Sequence, residues 1–469
     1  MIRDPLVYFE SSGAFLISIM QDTAVQQAPL PLTREERLNL GRTLDPRGHH
    51  IHLALAAAFA FVLPLGMVPV AKDILLAGLV FFSLLRLPKI YRCYATLFLD
   101  PLLWLMLAWP AWLTLSFLWS PAPDQGFEEI RMIRTYLILS ALWPVAYHFR
   151  IIAMAFIIGC ATIVLIQIGQ MIGLAGLELD LRGRADAAMQ PILAAALLVT
   201  AAMWLLSGAC LWKGRRAIFM AIGLVIIMVG LALTGSRGPW LSFVMASGLL
   251  ILSAFTLAPW SRRRIMTLGA IGIIAGAGFV TLDITALDGK FTTPVQNRVK
   301  EAFQERTASL AGQETPLGGW QHTPIGFRLL AWDASRDVFL EHPLLGIGAG
   351  GLSSELRQHW WLTPVDAEAE NVPVSERHLN PHSMYLQTLS QTGIIGLILL
   401  VLPMILVLCR LVPRIHDPIY FGAAFALIAW AAGATFDGYQ MMTSMMGVLM
   451  LIYLASIVTG SNKQEERTT

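Results

Sequence analysis

The sequence predicts an all-α polytopic membrane protein. It has about twelve transmembrane helices and one large, partly helical outer loop between spans 9 and 10. Three observations predict this. Of 469 residues, 56% are hydrophobic and only 14% charged, where soluble domains carry about 25% charge. The apolar residues come in runs near the length of a membrane span, with few charges inside them. The Lys and Arg residues between the runs fall on alternate loops, as the positive-inside rule requires.

Taken in order, the runs are 50–68, 73–88, 101–119, 130–148, 150–173, 190–212, 217–234, 239–258, 265–283, 384–411, 417–436 and 441–459. Residues 1–49 form a cytoplasmic N-terminal segment. The "GAFLISIM" stretch within it is too short to span and has no small-residue cleavage site after it, so no signal peptide is expected. Spans 1–9 lie within 50–283, the large outer loop within 284–380, and spans 10–12 within 381–459. A cytoplasmic tail follows at 460–469.

Arg34, Arg37, Arg42 and Arg47 precede the first span. Alternate loops carry Arg86/Lys89/Arg92, Arg150, Lys213/Arg215/Arg216, Arg262/Arg263/Arg264 and Arg410/Arg414, with Lys463 and Arg467 in the tail. Twelve spans put all of these on the cytoplasmic face, with both termini. The net charge of +2 says little about partners, because its distribution matters more than its sum. Cys93, Cys210 and Cys409 fall at cytoplasmic ends and Cys160 inside a span, so no disulfide framework is expected. No Cys/His cluster has zinc spacing, and no Gly-rich nucleotide motif occurs. Metal, nucleotide cofactor and nucleic acid are therefore absent from the expectation.

The outer face carries the informative residues. Arg182, Arg184 and Arg237 stand hard against the membrane on the side where arginine is under-used. One reading is snorkelling to lipid headgroups; the other is an anionic substrate. In "LTGSRGPWLS", Gly235 and Gly238 allow a tight turn and Pro239 suits the first turn of a helix. Arg237 is thereby held at a helix N-terminus, which itself favours anions, and its fork matches phosphate oxygens. The alternative is a structural turn whose Arg pairs with an Asp or a lipid.

Within the long loop, 324–341 reads as an amphipathic helix through Leu329, Trp332, Ser335, Val338 and Phe339, lying on the membrane or covering a cavity. Arg328 precedes Trp332 by one turn. Asp333 and Asp337 read as its structural partners, and His342 as a cap in the "EHPLLG" turn. Trp360 and Trp361 suit the headgroup belt or a sugar ring. "LNPHSMYLQTLSQTGIIGL" (Leu379–Leu397) then joins polar loop to apolar span, with His382 at the junction. His382 is either an interfacial residue or a base; His378, His359 and His342 are rivals for that role.

"LTGSRGPWLS", "RLLAWDASRDVFLEHPLLGIGAGG" and "NPHSMYLQTLSQTGIIGL", in that order, resemble the O-antigen ligase and polymerase superfamily over roughly residues 180–400. Its members are multi-pass proteins of the bacterial inner membrane with one large periplasmic loop before the last few spans. The resemblance implies glycosyl transfer at a periplasmic active site. The donor is a glycan on undecaprenyl diphosphate. The acceptor is a sugar hydroxyl of lipid A–core in the ligase, another lipid-linked glycan in the polymerase, or a protein Ser or Thr in the O-linked oligosaccharyltransferase. The ligase is the reading taken. The family's functional residues map onto Arg237, Arg328 and His382, and onto Arg184 beside Arg182. Relatives often carry an Asn near a Pro after that arginine, where this chain has "AAMQPI".

The chemistry fits these residue types. A lipid diphosphate leaving group needs its charge neutralised, which arginines supply without a metal. The acceptor hydroxyl is a poor nucleophile and needs a positioned base; histidine, with an ordinary pKa near 6.5, suits that task. A transporter of polysaccharide or lipid is the alternative of another class. Transporters tend to carry internal repeats, broken midplane helices and ionisable groups within spans. The sequence shows no repeat, and its outer charges gather at the boundary.

Overall fold

The computed structural model describes residues 34–174, 176–179, 185–267, 269–270, 293–313, 323–358 and 379–459. Every regular element among the described residues is helical. The expected span at 265–283, Arg182 and Arg184, His359, His378, Trp360 and Trp361, and the tail lie largely or wholly outside them.

Helices α1 (Arg34–Leu44) and α2 (Pro46–Val62) meet at Asp45. The Asp45 side chain accepts from Gly48 N at 3.2 Å, and Pro46 starts the helix where no N–H is needed. Helix α3 (Pro69–Phe98) is longer than the expected 73–88 and continues through Pro88. Arg86, Lys89 and Arg92 therefore lie on a helix, where a loop was expected. Arg86 is the reason: it is 4% exposed and bonds Asp45 Oδ2 at 2.8 Å, which holds this stretch against α1 and α2.

Helix α4 (Pro101–Leu115) is capped by Asp100, and α5 (Pro123–Arg131) follows. The expected span 130–148 is interrupted: 3₁₀ turns at Met132–Tyr136 and Trp143–His148 flank the short α6 (Leu137–Leu142). Pro144, near the start of the second turn, lacks the N–H that a continuous helix needs. The chain then runs straight into α7 (Phe149–Met171). Helices α8 (Pro191–Leu211), α9 (Arg215–Leu233) and α10 (Arg237–Leu257) follow, then α11 (Thr293–Leu310), α12 (Pro324–Glu341) and α13 (Gly351–Gln358). The chain closes with α14 (Met384–Leu411), α15 (Pro418–Gly433) and α16 (Thr443–Thr459).

Among the described residues, six helical stretches are long and apolar enough to cross a membrane: Pro101–Trp119, Ile133–Met171, α8, α9, α10 and α14. The apolar helices α15 and α16 are shorter. The centre is α8 with α15 and α16, around the fully buried Trp204, Trp430, Phe421 and Phe425. Gly422 lets the backbones close: a Cβ there would stand 3.0 Å from Trp204 Cα. Helices α9 and α10 instead show apolar outer faces, with Phe219, Val225, Val244 and Leu252 exposed. Continuous apolar exposure of this kind belongs to helices surrounded by lipid.

Helix α14 is broken at Gly393, whose φ of 67° and ψ of −169° are not helical. The break frees backbone groups, and a turn from residues 343–348 satisfies them. Ile347 N donates to Ser390 O (2.9 Å), Gly348 N to Gln391 O (2.8 Å), and Ile394 N to Pro343 O (3.0 Å). Trp112 Nε1 donates to Thr392 O at 3.0 Å. A Cβ on Gly393 would meet Leu344 O at 2.1 Å, and one on Gly346 would meet Gln391 C at 2.2 Å, so both positions require glycine. Helix α12 lies along the first half of α14, through Ser390 Oγ to Ser335 O at 2.7 Å. Its buried face is Leu330, Ala331, Ala334 and Val338, packed on Leu352 and Leu356. The expected face shared Ser335 and Val338 but included Leu329, Trp332 and Phe339, which are only half-buried. Docking on α14 and α13 turns the helix to a different stripe.

Candidate active site

The site forms where α14 begins. Ser383 caps that helix, and Met384 N donates to Ala434 O (2.9 Å) and Asp437 O (3.2 Å) in the turn after α15. The two segments are thereby locked together. His382, just outside the helix, has a φ of 47°. That left-handed conformation is uncommon for a non-glycine residue. Asn380 holds it, its Oδ1 accepting from His382 N at 2.9 Å. Trp332 Nε1 holds the preceding residue through Pro381 O at 2.8 Å.

This backbone aims the imidazole at Asp437. His382 Nδ1 lies 3.3 Å from Asp437 Oδ1; the His382 side chain is 39% exposed and that of Asp437 8%. Gly438 N also donates to Asp437 Oδ1 (2.9 Å). The Phe327 ring meets the imidazole edge-on, with centroids 6.1 Å apart. Arg328, the next residue of α12, is half-buried. Burial pushes its pKa down from the ordinary arginine value, and attraction to Asp437 pushes it up; a guanidinium stays charged throughout. Asp437 thus contacts the imidazole and lies within electrostatic reach of the Arg328 cation.

Arg237 is the first residue of α10, behind Ser236 and the positive-φ Gly235, and it is exposed. The next residue, Gly238, faces Phe436: its ideal Cβ is 3.8 Å from Phe436 Cβ. Phe436 in turn packs near Trp332, ring centroids 6.4 Å apart. The structure so brings His382 and Arg328 to Asp437, with the Arg237 helix start one side chain away. Arg182 and Arg184 lie outside the described residues.

Two expectations change. Asp333 binds Arg306, at 2.9 Å from Arg306 Nη2, and Asp337 binds Arg336 at 2.9 Å, so both carboxylates serve arginines other than Arg328 in the contacts described. Asp437 is the residue that sequence reasoning missed. It sits in the "FDGYQ" outer loop, 55 residues beyond His382, and an acidic residue in a short loop at the membrane boundary was its only signal. His342 ends α12 as its cap, its carbonyl accepting from Gly346 N at 3.0 Å, as the turn predicts.

An all-helical chain with lipid-type outer faces, bearing a half-open His–Asp pair and arginines at one end, has the character of an integral membrane protein with a polar site at its boundary. Residues 222–401 match the family model described as O-antigen ligase, which supports membership of the O-antigen ligase and polymerase superfamily. The matched segment contains Arg237, Arg328 and His382, and ends before Asp437. No curated protein matches the chain. The family implies lipid-linked glycan substrates and a membrane lipid environment.

Proposed function

We propose that the protein is an O-antigen ligase of the bacterial inner membrane, with its active site on the periplasmic face. It transfers a glycan from undecaprenyl diphosphate to a sugar hydroxyl of lipid A–core. The observation that carries the mechanism is the half-exposed His382 ring, held through Nδ1 by the buried Asp437. With the Nδ1 proton donated to the carboxylate, Nε2 keeps its lone pair and serves as general base. Asp437 fixes that tautomer and stabilises the imidazolium that forms, as a third group does for other paired bases.

The acceptor oxygen attacks C1 of the donor sugar while Nε2 takes its proton. The C1–O bond to phosphate breaks, and the lipid diphosphate leaves with the bonding electrons. A single displacement inverts the configuration at C1. Arg328 and Arg237 meet the charge that grows on the diphosphate, and no metal is required. Arg328, partly desolvated on α12, acts more strongly per charge than a guanidinium in water.

The lipopolysaccharide gel pattern of a deletion strain tests the reading. Loss of all long chains from core, with lipid-linked polymer accumulating, is the expected result. A single repeat unit on core marks a polymerase instead. Normal lipopolysaccharide with an unglycosylated surface protein marks a protein oligosaccharyltransferase.

A further inference from the structure

A group of histidines lies at the end of the bundle away from His382. Helix α2 sets the separation. Ser444 Oγ, at the start of the helix that follows Asp437, donates to Leu63 O just past the end of α2 (2.9 Å). His49, on the first turn of α2, is therefore roughly 20 Å away along the helix. It is 1% exposed, and neither of its ring nitrogens has a hydrogen-bond partner among the described residues. A buried polar group left in that state is costly. Two further imidazoles lie against it, His148 at 5.1 Å and His50 at 6.1 Å between ring centroids. Arg42, on the last turn of α1, and His50 are both close enough to His148 to act on its charge. Arg86 and His52 act on His49 from the interior.

Every one of these groups is a cation or can become one. The carboxylates beside them are committed: Asp45 bonds Arg86 at 2.8 Å, and Asp417 bonds Arg150 at 2.6 Å. Arg86 and His52 also bond one another, at 2.9 Å. That leaves Arg42, His50 and His148, whose charges disfavour one another until an anion joins them. Arg42 and His50 are exposed and His148 is half-buried, so the cluster opens outward. Its neighbours in sequence, Leu44 and Ile51, are apolar and 44% and 53% exposed. Cationic heads beside apolar side chains of this exposure suit the depth at which lipid tails give way to headgroups. The sequence places this end of the bundle on the cytoplasmic face, where the leaflet carries anionic lipid.

We propose that Arg42, His50 and His148, around the buried His49, form a binding site for the phosphate of an anionic phospholipid headgroup. A phosphate carries enough acceptor oxygens for the Arg42 fork and for imidazole N–H groups together. His49 is the buried donor nearest the rings of His50 and His148. The lipid would tie α1 and α2 to the Trp143–His148 turn, three segments that meet only at this end. The inference is independent of the base assignment to His382.

The full-length protein, purified in a neutral detergent, is titrated with phosphatidylglycerol and, in parallel, with zwitterionic phosphatidylcholine and with inorganic phosphate. The readout is the melting temperature, which a ligand of the folded state raises. Phosphatidylglycerol is expected to raise it at lower concentration than phosphatidylcholine. Arg42→Gln with His50→Gln alters two exposed side chains and leaves the core untouched. This double variant is expected to need at least about fivefold more phosphatidylglycerol for the same rise, the scale of one basic residue at an anionic surface. Should it not fold, Arg42→Gln alone must show the loss. Arg92→Gln is the control, an exposed arginine of the same expected face whose guanidinium lies over the Tyr91 ring; it is expected to respond as wild type does. Equal losses in the control and the double variant mean diffuse attraction and overturn the site. An unchanged response in the double variant overturns it as well. A rise with inorganic phosphate and none with phosphatidylglycerol overturns the lipid as occupant.

Discussion

Two clusters of Arg, Asp and His lie at opposite ends of the bundle, and they do different things. In the first, Arg86 bonds Asp45 Oδ2 (2.8 Å), His52 Nδ1 (2.9 Å) and Gly41 O (3.2 Å), while His52 Nε2 reaches Ala141 O at 2.7 Å. Arg86 is 4% exposed and His52 fully buried. Both ring nitrogens are engaged, and the contacts fix the tautomer: Nδ1 accepts from Arg86, and Nε2–H donates to the carbonyl. In the second, His382 uses only Nδ1 in the contacts described, and its ring is 39% exposed beside a buried carboxylate. The same residue types therefore staple helices at one end and present a basic nitrogen at the other. What separates the two histidines is a ring nitrogen left open, which under the proposed function is the one that meets the incoming acceptor.

The largest effect expected is the loss of that nitrogen. His382→Ala should lower kcat by about 10²–10⁴-fold, while the purified protein still binds the lipid diphosphate donor. Near-normal turnover would remove the base from this residue and collapse the contrast with His52. Arg328→Ala and Arg237→Ala should each cost about 10²–10³-fold in kcat, the scale of losing a charge-stabilising donor. The lysine variants should recover little of this, because a point charge lacks the fork; full recovery would mean that only diffuse positive charge is needed.

Arg86→Met sharpens the comparison from the other side. It should lower stability by about 3–5 kcal/mol, since Asp45 is left without its partner, yet leave turnover per folded molecule unchanged. Thermal melts in detergent, paired with the transfer assay, separate the two quantities. A fall in kcat without a fall in stability would place a catalytic demand on the wrong end of the molecule.

The smallest effect concerns pH and Glu129. Its folded pKa is raised to about 7 from 4.5 by burial, so the folded state binds this proton more tightly than the unfolded chain. Its contribution to stability is complete below the ordinary carboxylate value and is lost as pH rises toward 7. The melting temperature of the wild type should therefore fall relative to Glu129→Gln between pH 4.5 and 7. Parallel curves for the two proteins would show that the carboxyl is ionised throughout.

The sequence by itself determined the all-helical, membrane-type architecture, because apolar runs near 20 residues have few other uses. It also singled out Arg237, Arg328 and His382, whose motifs are local: a glycine-flanked turn, an amphipathic helix, a polar-to-apolar junction. It placed the turn at 343–348 from its Pro and Gly residues, but not the break at Gly393 that the turn fills. Tertiary structure decided that break, the stripe by which α12 docks, and the pairing of His382 with Asp437. These are contacts between segments tens to hundreds of residues apart. Hydrophobic periodicity reports which face of a helix is buried, but carries no record of what buries it. A lone Asp in "FDGYQ" looks the same to the sequence whether it meets water, a lipid headgroup or an imidazole. Only the packing of α15 against the start of α14, fixed by the two hydrogen bonds from Met384 N, gives it a histidine.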